Sequence, residues 1–563
     1  MTTTPHLMPG TQNLDQTTLD RLEAVWRKGQ TLRRGRILAR RTPPLIRLWD
    51  GDWNLKGRLV DAIHAKFQWK LNDTGAGTIT IPIDHWLATW ALDHHSRPTK
   101  NIHITMDKDG ARWSGRLKST RLVKERTGQR YLELNFLHDY EELKHVYVWP
   151  NPLTPAAVQF PRTFMLLGPS RWALKTALML NIWRLEGSVW ALPDDPLDLT
   201  EWTDTFNPRT WAIQVAPGRI GGDTTPWTII SSRMKTWHDM AASPLRQAQL
   251  MVECRRYLTG DPLPWPGAKI RHGCLVVDIV DKSSWFDPEG TSLWGTIRAG
   301  FLRTTQQLVG HNVDTDHTVI ANPNIPVKYS APNWLGTIPQ CPYVLYRDAP
   351  LTGIEAADFT WEPATAVQIL TGGHSTYGVN EALSSLVTLV GNYLGMFIAT
   401  PTIGVIADTL LKPFYEDTLL AWMSLKSLQR SRTLGWSKYW EHFADGADRG
   451  YTLSALAALR EGFWDTREKT SHKLTLGDGA PWFIGDRGQG HFFLGDRIGA
   501  TIKGLPGDQV VVEQVTEITY ELDRDTRGWA CVCGDPQAQY SPLEQILTRV
   551  KSSMSSIHDL GVI

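Results

Sequence analysis

Cysteine is scarce in this 563-residue chain: five residues, at 254, 274, 341, 531 and 533. They are too few and too scattered for a disulfide scaffold, and the usage fits a protein made in a reducing cytoplasm. Net charge is almost absent, with 59 Lys and Arg against 58 Asp and Glu. No global excess therefore draws the chain onto DNA or a membrane surface. The polar stretch Met1–Gln16 leads into basic rather than apolar sequence, so no secretory signal peptide is expected. Catalytic motifs are missing too. Gly373-His374-Ser375-Thr376-Tyr377-Gly378 has one residue too many for a nucleophile elbow. There is no Walker-type phosphate loop and no His-Glu-x-x-His. Glu416 and Asp417 are adjacent on a predicted helix and point apart, unlike a glycosidase pair. His311, Asp314, Asp316 and His317 have ligand chemistry, but their spacing reads as a polar loop. Cys531 and Cys533 share a strand face without a second cysteine pair, and read as small buried side chains rather than zinc ligands. The sequence thus assigns no catalytic, cofactor-binding or metal-ligating residue.

Tryptophan is abundant, with 26 residues. Large aromatics fill cores and subunit interfaces, and also line carbohydrate clefts and membrane belts. With 42% hydrophobic and 21% charged residues the chain can bury real cores. Its length predicts three or four domains.

The first segment, 1–42, is a basic arm. Thr17–Arg41 predicts a helix or extended arm in which Arg27, Lys28, Arg33, Arg34, Arg36, Arg40 and Arg41 occur without an intervening acid. Such a run suits phosphate or an acidic protein neighbour. Residues 43–148 read as consecutive strands. Ala65, Phe67, Trp69 and Leu71 alternate with Lys66, Gln68, Lys70 and Asn72, then Ile79, Ile81 and Ile83 line one face. Asp109-Gly110 is a hairpin signal between the 102–106 strand and one over Arg116–Val123. Leu132, Leu134 and Phe136 return on the core side, which predicts a small antiparallel barrel or sandwich. Trp149-Pro150-Asn151-Pro152 marks a boundary.

Residues 149–375 read as an α+β region. It has an amphipathic helix over Arg171–Glu186, a Trp- and Gly-rich loop over 204–236, a helix over Pro244–Tyr257 and a strand over Cys274–Val280. Residues 376–470 read as helical. Within them 382–407 carries no charge, a length that spans a bilayer. Its Gly, Pro and Asn content favours a buried helical hairpin over a segment exposed on meeting a membrane. Helices are also expected over 408–434 and 452–469. Residues 471–535 return to strands punctuated by Gly-Asp turns at 477, 485 and 495. A C-terminal helix occupies 536–563, with Ser541 as its N-cap, Pro542 in its first turn and Glu544 completing a capping box.

Several stretches resemble the minor tail proteins of long-tailed actinobacteriophages (mycobacteriophage type), related to the tail-tip or baseplate hub family. They are Leu48-Trp49-Asp50 through "TGAGTITIP" to Ile83, Leu137–Leu143 with Val148–Pro152, "YTLSALAALREGFWDTR" from Tyr451, and "GDGAPWFIGDRGQGHFFLGDRIG" from Gly477. The resemblance implies an α+β multidomain chain with two antiparallel β-barrel hub (tube-like) domains, the middle region holding the second hub-type domain and remaining barrel strands. It implies a homotrimer whose six barrels close a pseudo-sixfold ring beneath the hexameric distal tail protein, at the distal tip of the virion tail. There it would organise tail fibres and other minor tail proteins and give the tape measure protein and genome DNA an exit channel. Segment 382–407 would plug that channel or touch the host membrane transiently, and the basic arm would grip an acidic tail partner or line the channel. Relatives often carry a lytic extension; none is carried over, so no enzymatic activity is expected. The alternative is a receptor- or cell-wall-glycan-binding module using Trp-rich loops such as 202–237; a cell-wall hydrolase is the third reading.

Overall fold

The computed structural model describes residues 16–126, 128–161, 163–188, 197, 207–221, 223, 225–282, 318–320, 344–348, 353–372, 422–444, 453–476, 482–504, 510–523 and 527–534. Helix α1 (Gln16–Arg41) comes first and gives way at Pro43-Pro44, where two prolines remove successive donors. Seven strands follow: β1 (Leu45–Asp50), β2 (Leu55–Leu59), β3 (His64–Lys70), β4 (Ala76–Pro82), β5 (Ile102–Lys108), β6 (Ala111–Lys124) and β7 (Arg130–His138). Their order is β3-β4-β7-β6-β5-β1-β2, with every pairing antiparallel. The period-two pattern sets which face is buried: Ala65, Phe67 and Trp69, then Ile79 and Ile81, then Leu132, Leu134 and Phe136 all point into one core. Asp109 (φ 48°) and Gly110 (φ 79°) both take positive φ, as a tight hairpin between right-twisted strands requires. A Cβ on Gly110 would collide with the Asp486 carbonyl, because the 485–490 loop seats on this hairpin tip. Short helix α2 (Trp86–Leu92) tucks Leu87, Ala88 and Ala91 into the same core.

The middle region is a separate α+β unit. It comprises β8 (Tyr147–Val148), β9 (Phe164–Pro169), α3 (Ser170–Glu186), β10 (Ile213–Val215), β11 (Trp227–Ser232), β12 (Lys235–Thr236), α4 (Trp237–Gln247), β13 (Leu250–Arg256) and β14 (Leu275–Asp281). Strands β10-β14-β13 form one sheet, and β9-β11 and β8-β12 form two ribbons. Helices α3 and α4 bury Leu174, Leu178, Ile182, Trp237 and Leu245 against them. The helix expected over Pro244–Tyr257 is corrected: α4 starts at Trp237, capped by Thr236, and ends at Gln247. Gln249 then takes positive φ (53°), and Leu250–Arg256 pairs with β14. The apolar residues there follow a strand period that a helix reading of a short run cannot exclude. Likewise part of the expected 204–236 loop is strand, in β10 and β11.

Next come β15 (Thr318–Ile320), β16 (Leu345–Tyr346), β17 (Ile354–Glu362), β18 (Ala366–Gly372), β19 (Trp422–Lys426), α5 (Leu428–Thr433), β20 (Tyr439–Phe443), α6 (Leu453–Asp465), β21 (Lys469–Leu476), β22 (Arg497–Thr501), β23 (Val510–Leu522) and β24 (Arg527–Cys533). Over its described part, the helix expected across 408–434 is replaced by strand β19 and the six-residue α5. Strands β19-β18-β20 form a small sheet backed by α6 through Ile369, Leu459 and Phe463.

The C-terminal strands do not stand apart from the N-terminal ones. Strand β23 pairs with β3, with Ile518 opposite Trp69 and Tyr520 opposite Phe67. This joins both ends of the described chain in one sheet, in the order β16-β22-β23-β3-β4-β7-β6-β5-β1-β2, with β15 and β24 also on β23. The fold is therefore mostly β, dominated by a curled half-barrel sheet, with few helices. Among the described residues its path ends at β16 and β2, which do not pair with each other.

Trp113 of β6 is fully buried in the half-barrel core. Its indole N–H donates to the Gln68 carbonyl at 2.8 Å, and its ring lies where a Cβ on Gly77 would sit 2.5 Å away. Trp113→Ala should cost about 3–5 kcal/mol, read as a lower urea midpoint; a loss below about 1 kcal/mol would show that this ring does not hold the core.

Candidate assembly site

The half-barrel and the α+β unit meet at a buried charge. Strand β7 runs into a 3-10 turn, Asp139–Lys144, with His138 as its cap. Arg256, the last residue of β13, reaches that turn: Nε donates to Asp139 Oδ2 at 2.9 Å and Nη2 to Asp139 Oδ1 at 3.0 Å. Its Nη1 donates to the Gly273 carbonyl at 3.1 Å. Both partners are buried. Burial alone would raise the Asp139 carboxyl, but the Arg256 charge and hydrogen bonds hold it below its ordinary value. The guanidinium also lies 4.9 Å from the Trp53 ring centre. Trp53 takes positive φ (61°) and stacks on His103 at 4.7 Å. Nearby, Arg112 of β6 donates to the Arg256 carbonyl at 3.0 Å and pairs with Asp261. A bidentate pair whose guanidinium also donates to a backbone carbonyl and to Glu142 fixes orientation between the two bodies.

The surfaces left open surround this junction. Among the described residues strand β2 is an end strand of the half-barrel, and beside it Leu55 (54%), Val60 (69%) and Trp86 (57%) are exposed. The Trp86 ring lies over Gly57 of β2. An unpaired edge flanked by apolar side chains is a template for another chain. Helix α1 is the second such surface: its described side chains are almost all exposed, Leu22, Val25 and Trp26 among them. Acids Asp20 and Glu23 lie in its first half and the basic run in its second, the order the helix dipole favours. Arg27 pairs with Glu23 at 2.6 Å.

The residues singled out from sequence are dispersed. Arg27, Lys28 and Arg34 lie on α1, as expected for a helical arm, whereas the side chains of Arg33, Arg36, Arg40 and Arg41 lie outside the described set. The Trp-rich 202–237 stretch turns inward where it is described: Trp237 is fully buried and Trp211 packs on the α+β core. Cys531 and Cys533 are buried in the half-barrel core. Among the described Gly-Asp turns, Asp496 receives Lys282 at 2.7 Å and so ties β22 to the α+β unit. Segment 382–407, His311 to His317, the 373–378 stretch, Glu416-Asp417 and the 541–550 helix lie outside the described residues. Among the described residues no group of His, Cys, Asp and Glu is placed to hold a metal ion, and no helix is long and apolar enough to cross a membrane. Sequence reasoning missed the Asp139–Arg256 pair, since residues 117 apart carry no local signal.

Burial, with the Arg256 charge beside it, holds His103 down to about 4. Burial likewise brings His138 to about 4, with Asp139 acting in the opposite sense. Its Nδ1 accepts the Tyr140 N–H at 3.2 Å, which requires that nitrogen unprotonated. Between their ordinary value near 6.5 and about 4, the unfolded chain binds protons that the folded chain refuses. Stability is therefore full above pH 6.5 and falls as pH drops through this window, by about 3 kcal/mol per histidine. Melting curves from pH 7 to 4 should show this loss. His103→Phe, which keeps a ring on Trp53 and cannot charge, should remove the His103 share of the loss and leave that of His138; an unchanged slope would contradict the assignment.

Comparison with known proteins places the chain. Residues 45–535 match the family model described as Siphovirus ReqiPepy6 Gp37-like protein. The chain is 34% identical to the minor tail protein Gp28 of Mycobacterium phage L5, covering 90% of this chain and 93% of that one. The same figures hold for minor tail protein Gp28 of Mycobacterium phage D29. Among solved structures, the tail protein from Neisseria meningitidis MC58 aligns with a TM-score of 0.39 and 11% identity, covering 88% of this chain and 98% of that one. On the span of the family model and the identity carried along nine-tenths of its length, the chain belongs to the Siphovirus ReqiPepy6 Gp37-like family, among the minor tail proteins of long-tailed phages.

Proposed function

We propose that this minor tail protein is a structural, non-enzymatic hub at the distal tip of the tail. Three copies join edge to edge, each contributing the half-barrel and the α+β unit beside it as two sheet-based modules. Six modules close a pseudo-sixfold ring that matches a hexameric distal tail protein, and the ring leaves an exit channel for the tape measure protein and DNA. Two sheet-based modules per copy let a threefold assembly present six units to a sixfold neighbour. Helix α1 then serves as the arm that grips an acidic tail partner, and fibres and other minor tail proteins attach around the ring.

The observation that carries the ring is the open end of the half-barrel. One end strand, β2, faces out with Leu55, Val60, Ile63 and Trp86 exposed beside it. A closed monomer would bury these side chains; a neighbouring copy does so in an assembly. Family membership supports the tail setting. The absence of a catalytic signature in the sequence agrees with a structural role.

Native mass measurement of the purified chain tests this reading. The expected species is three times the 63.5 kDa chain. The double substitution Leu55→Asp, Ile63→Asp should convert it to folded monomer. A wild type that stays monomeric at micromolar concentration, or a trimer indifferent to both substitutions, would refute the edge-to-edge ring.

A further inference from the structure

A closed ring of three copies makes one geometric demand. Each copy must show its neighbours two different surfaces, because a self-complementary patch closes dimers instead. The β2 edge, with Leu55, Val60, Ile63 and Trp86 exposed beside it, is one of the two. Its counterpart must be apolar and free of charge, as interface cores are, and it belongs to the other module, the α+β unit. Eleven large apolar side chains of that unit are exposed among the described residues, and six of them lie between 147 and 167. They are Tyr147, Leu153, Val158, Phe160, Met165 and Leu167, with Phe160 the most exposed of the six at 81%.

The loop 149–161 between β8 and β9 carries no charged residue and four prolines. Its polar groups bond within the loop. Gln159 Oε1 accepts the Asn151 N–H at 3.0 Å, and its Nε2 donates to the Pro155 carbonyl at 3.1 Å and the Asn151 carbonyl at 3.2 Å. Asn151 Nδ2 donates to the Phe160 carbonyl at 2.8 Å, and its Oδ1 accepts the Leu153 N–H at 3.0 Å. Two amides thus hold the middle of the loop while Leu153, Val158 and Phe160 stay exposed. The base is fixed to α3, where the Trp149 backbone N–H donates to Asn181 Oδ1 at 3.1 Å. The Arg184 guanidinium also lies 4.1 Å from the Trp149 ring centre. A loop held in one shape loses little entropy on docking.

Strand β9 continues this surface. It turns Phe164 and Leu166 to the core and leaves Met165 and Leu167 exposed on its other face. Among the described residues β9 has one strand partner, β11, so it ends its ribbon as β2 ends the half-barrel. The two strands match in length, with five residues in β2 and six in β9. Strand β9 carries no charge, so Lys56 and Arg58 of β2 would meet no cation there. Edge pairing adds main-chain hydrogen bonds to the apolar contact. We infer that β9 and the 149–161 loop form the surface that covers β2 of the next copy. The two strands pair edge to edge, and Val158, Phe160 and Met165 pack by Leu55, Ile63 and Trp86. This inference rests on the ring proposed above and names the other half of each contact.

Native mass measurement on complementary variants tests it. Phe160→Asp with Met165→Asp should give a 63.5 kDa monomer with the wild-type melting temperature. Leu55→Asp with Ile63→Asp should do the same from the other side, and Val158→Asp alone should shift the balance from trimer toward monomer. Mixing the two monomeric variants should then restore a species of two chains and none larger, because one intact β9 surface meets one intact β2 edge. Such complementation requires a head-to-tail contact between these two surfaces. A loop variant that stays trimeric while the β2 variant is monomeric would keep the ring, assign the loop to a different partner and overturn this contact. A mixture that stays monomeric would show that the two surfaces do not meet each other, and overturns it equally. A wild type that is itself monomeric refutes the ring, and this contact falls with it.

Discussion

The pairing of β3 with β23 is the constraint on which the rest of the architecture depends. It joins residues some 450 positions apart, with Gln68 Nε2 donating to Glu517 Oε1 at 2.7 Å. His64 lies 3.2 Å from Glu521, and the hydrogen bond from His64, helped by Lys66, holds that carboxyl below its ordinary value against the opposing pull of burial. Trp69 and Trp529 pack at 5.4 Å on the buried side, and the Trp529 indole N–H donates to Asp109 at 2.9 Å. Closing so long a loop costs only about 0.6 kcal/mol more per doubling of length. The thermodynamic burden of the inserted units is therefore small, while the kinetic cost of non-local strand pairing is large. In return, both ends of the described chain become one wall, and the units inserted between them are carried by it.

A wall positions an insertion only if the joint is stiff. The Asp139–Arg256 pair supplies that stiffness, since removing either partner strands a buried charge at a cost of about 3–5 kcal/mol. Lys282 with Asp496 and the Asn72 side-chain contacts to the β13 backbone add further ties between the same bodies. Arg430 repeats the device on a smaller scale in the β19-β18-β20 sheet, where one guanidinium holds β18 and the end of α6. In the proposed structural role, a fixed relative orientation of these units is the property that matters.

How much of this the sequence carries depends on the range of the interaction. Strands β3, β4, β5 and β7 were legible because a sheet buried on one face imposes a two-residue period, and the Asp109-Gly110 turn was legible because positive φ selects residue type. Helix α3 followed from the spacing of Leu174, Leu178 and Ile182. Strand β13 was misread because the short apolar stretch Leu250-Met251-Val252 suits either element until its β14 partner is known. The β3–β23 register and the Arg256 junction were illegible, since each arises only when distant segments meet. Tryptophan abundance pointed to aromatic surfaces in general. Only the fold separates Trp113 and Trp237 in cores from Trp436 and Trp440 in solvent.

Family membership places the chain among phage minor tail proteins, and the open half-barrel suggests how it would act there. In the proposed assembly, neighbouring copies cover the β2 edge and turn an incomplete barrel into part of a continuous collar. A cryo-electron microscopy reconstruction of the intact tail is the most direct test. The account requires three copies of the half-barrel at the distal end, arranged around the tail axis with β2 of each copy against its neighbour. A single copy per tail, or half-barrels whose β2 edges face solvent, would contradict it.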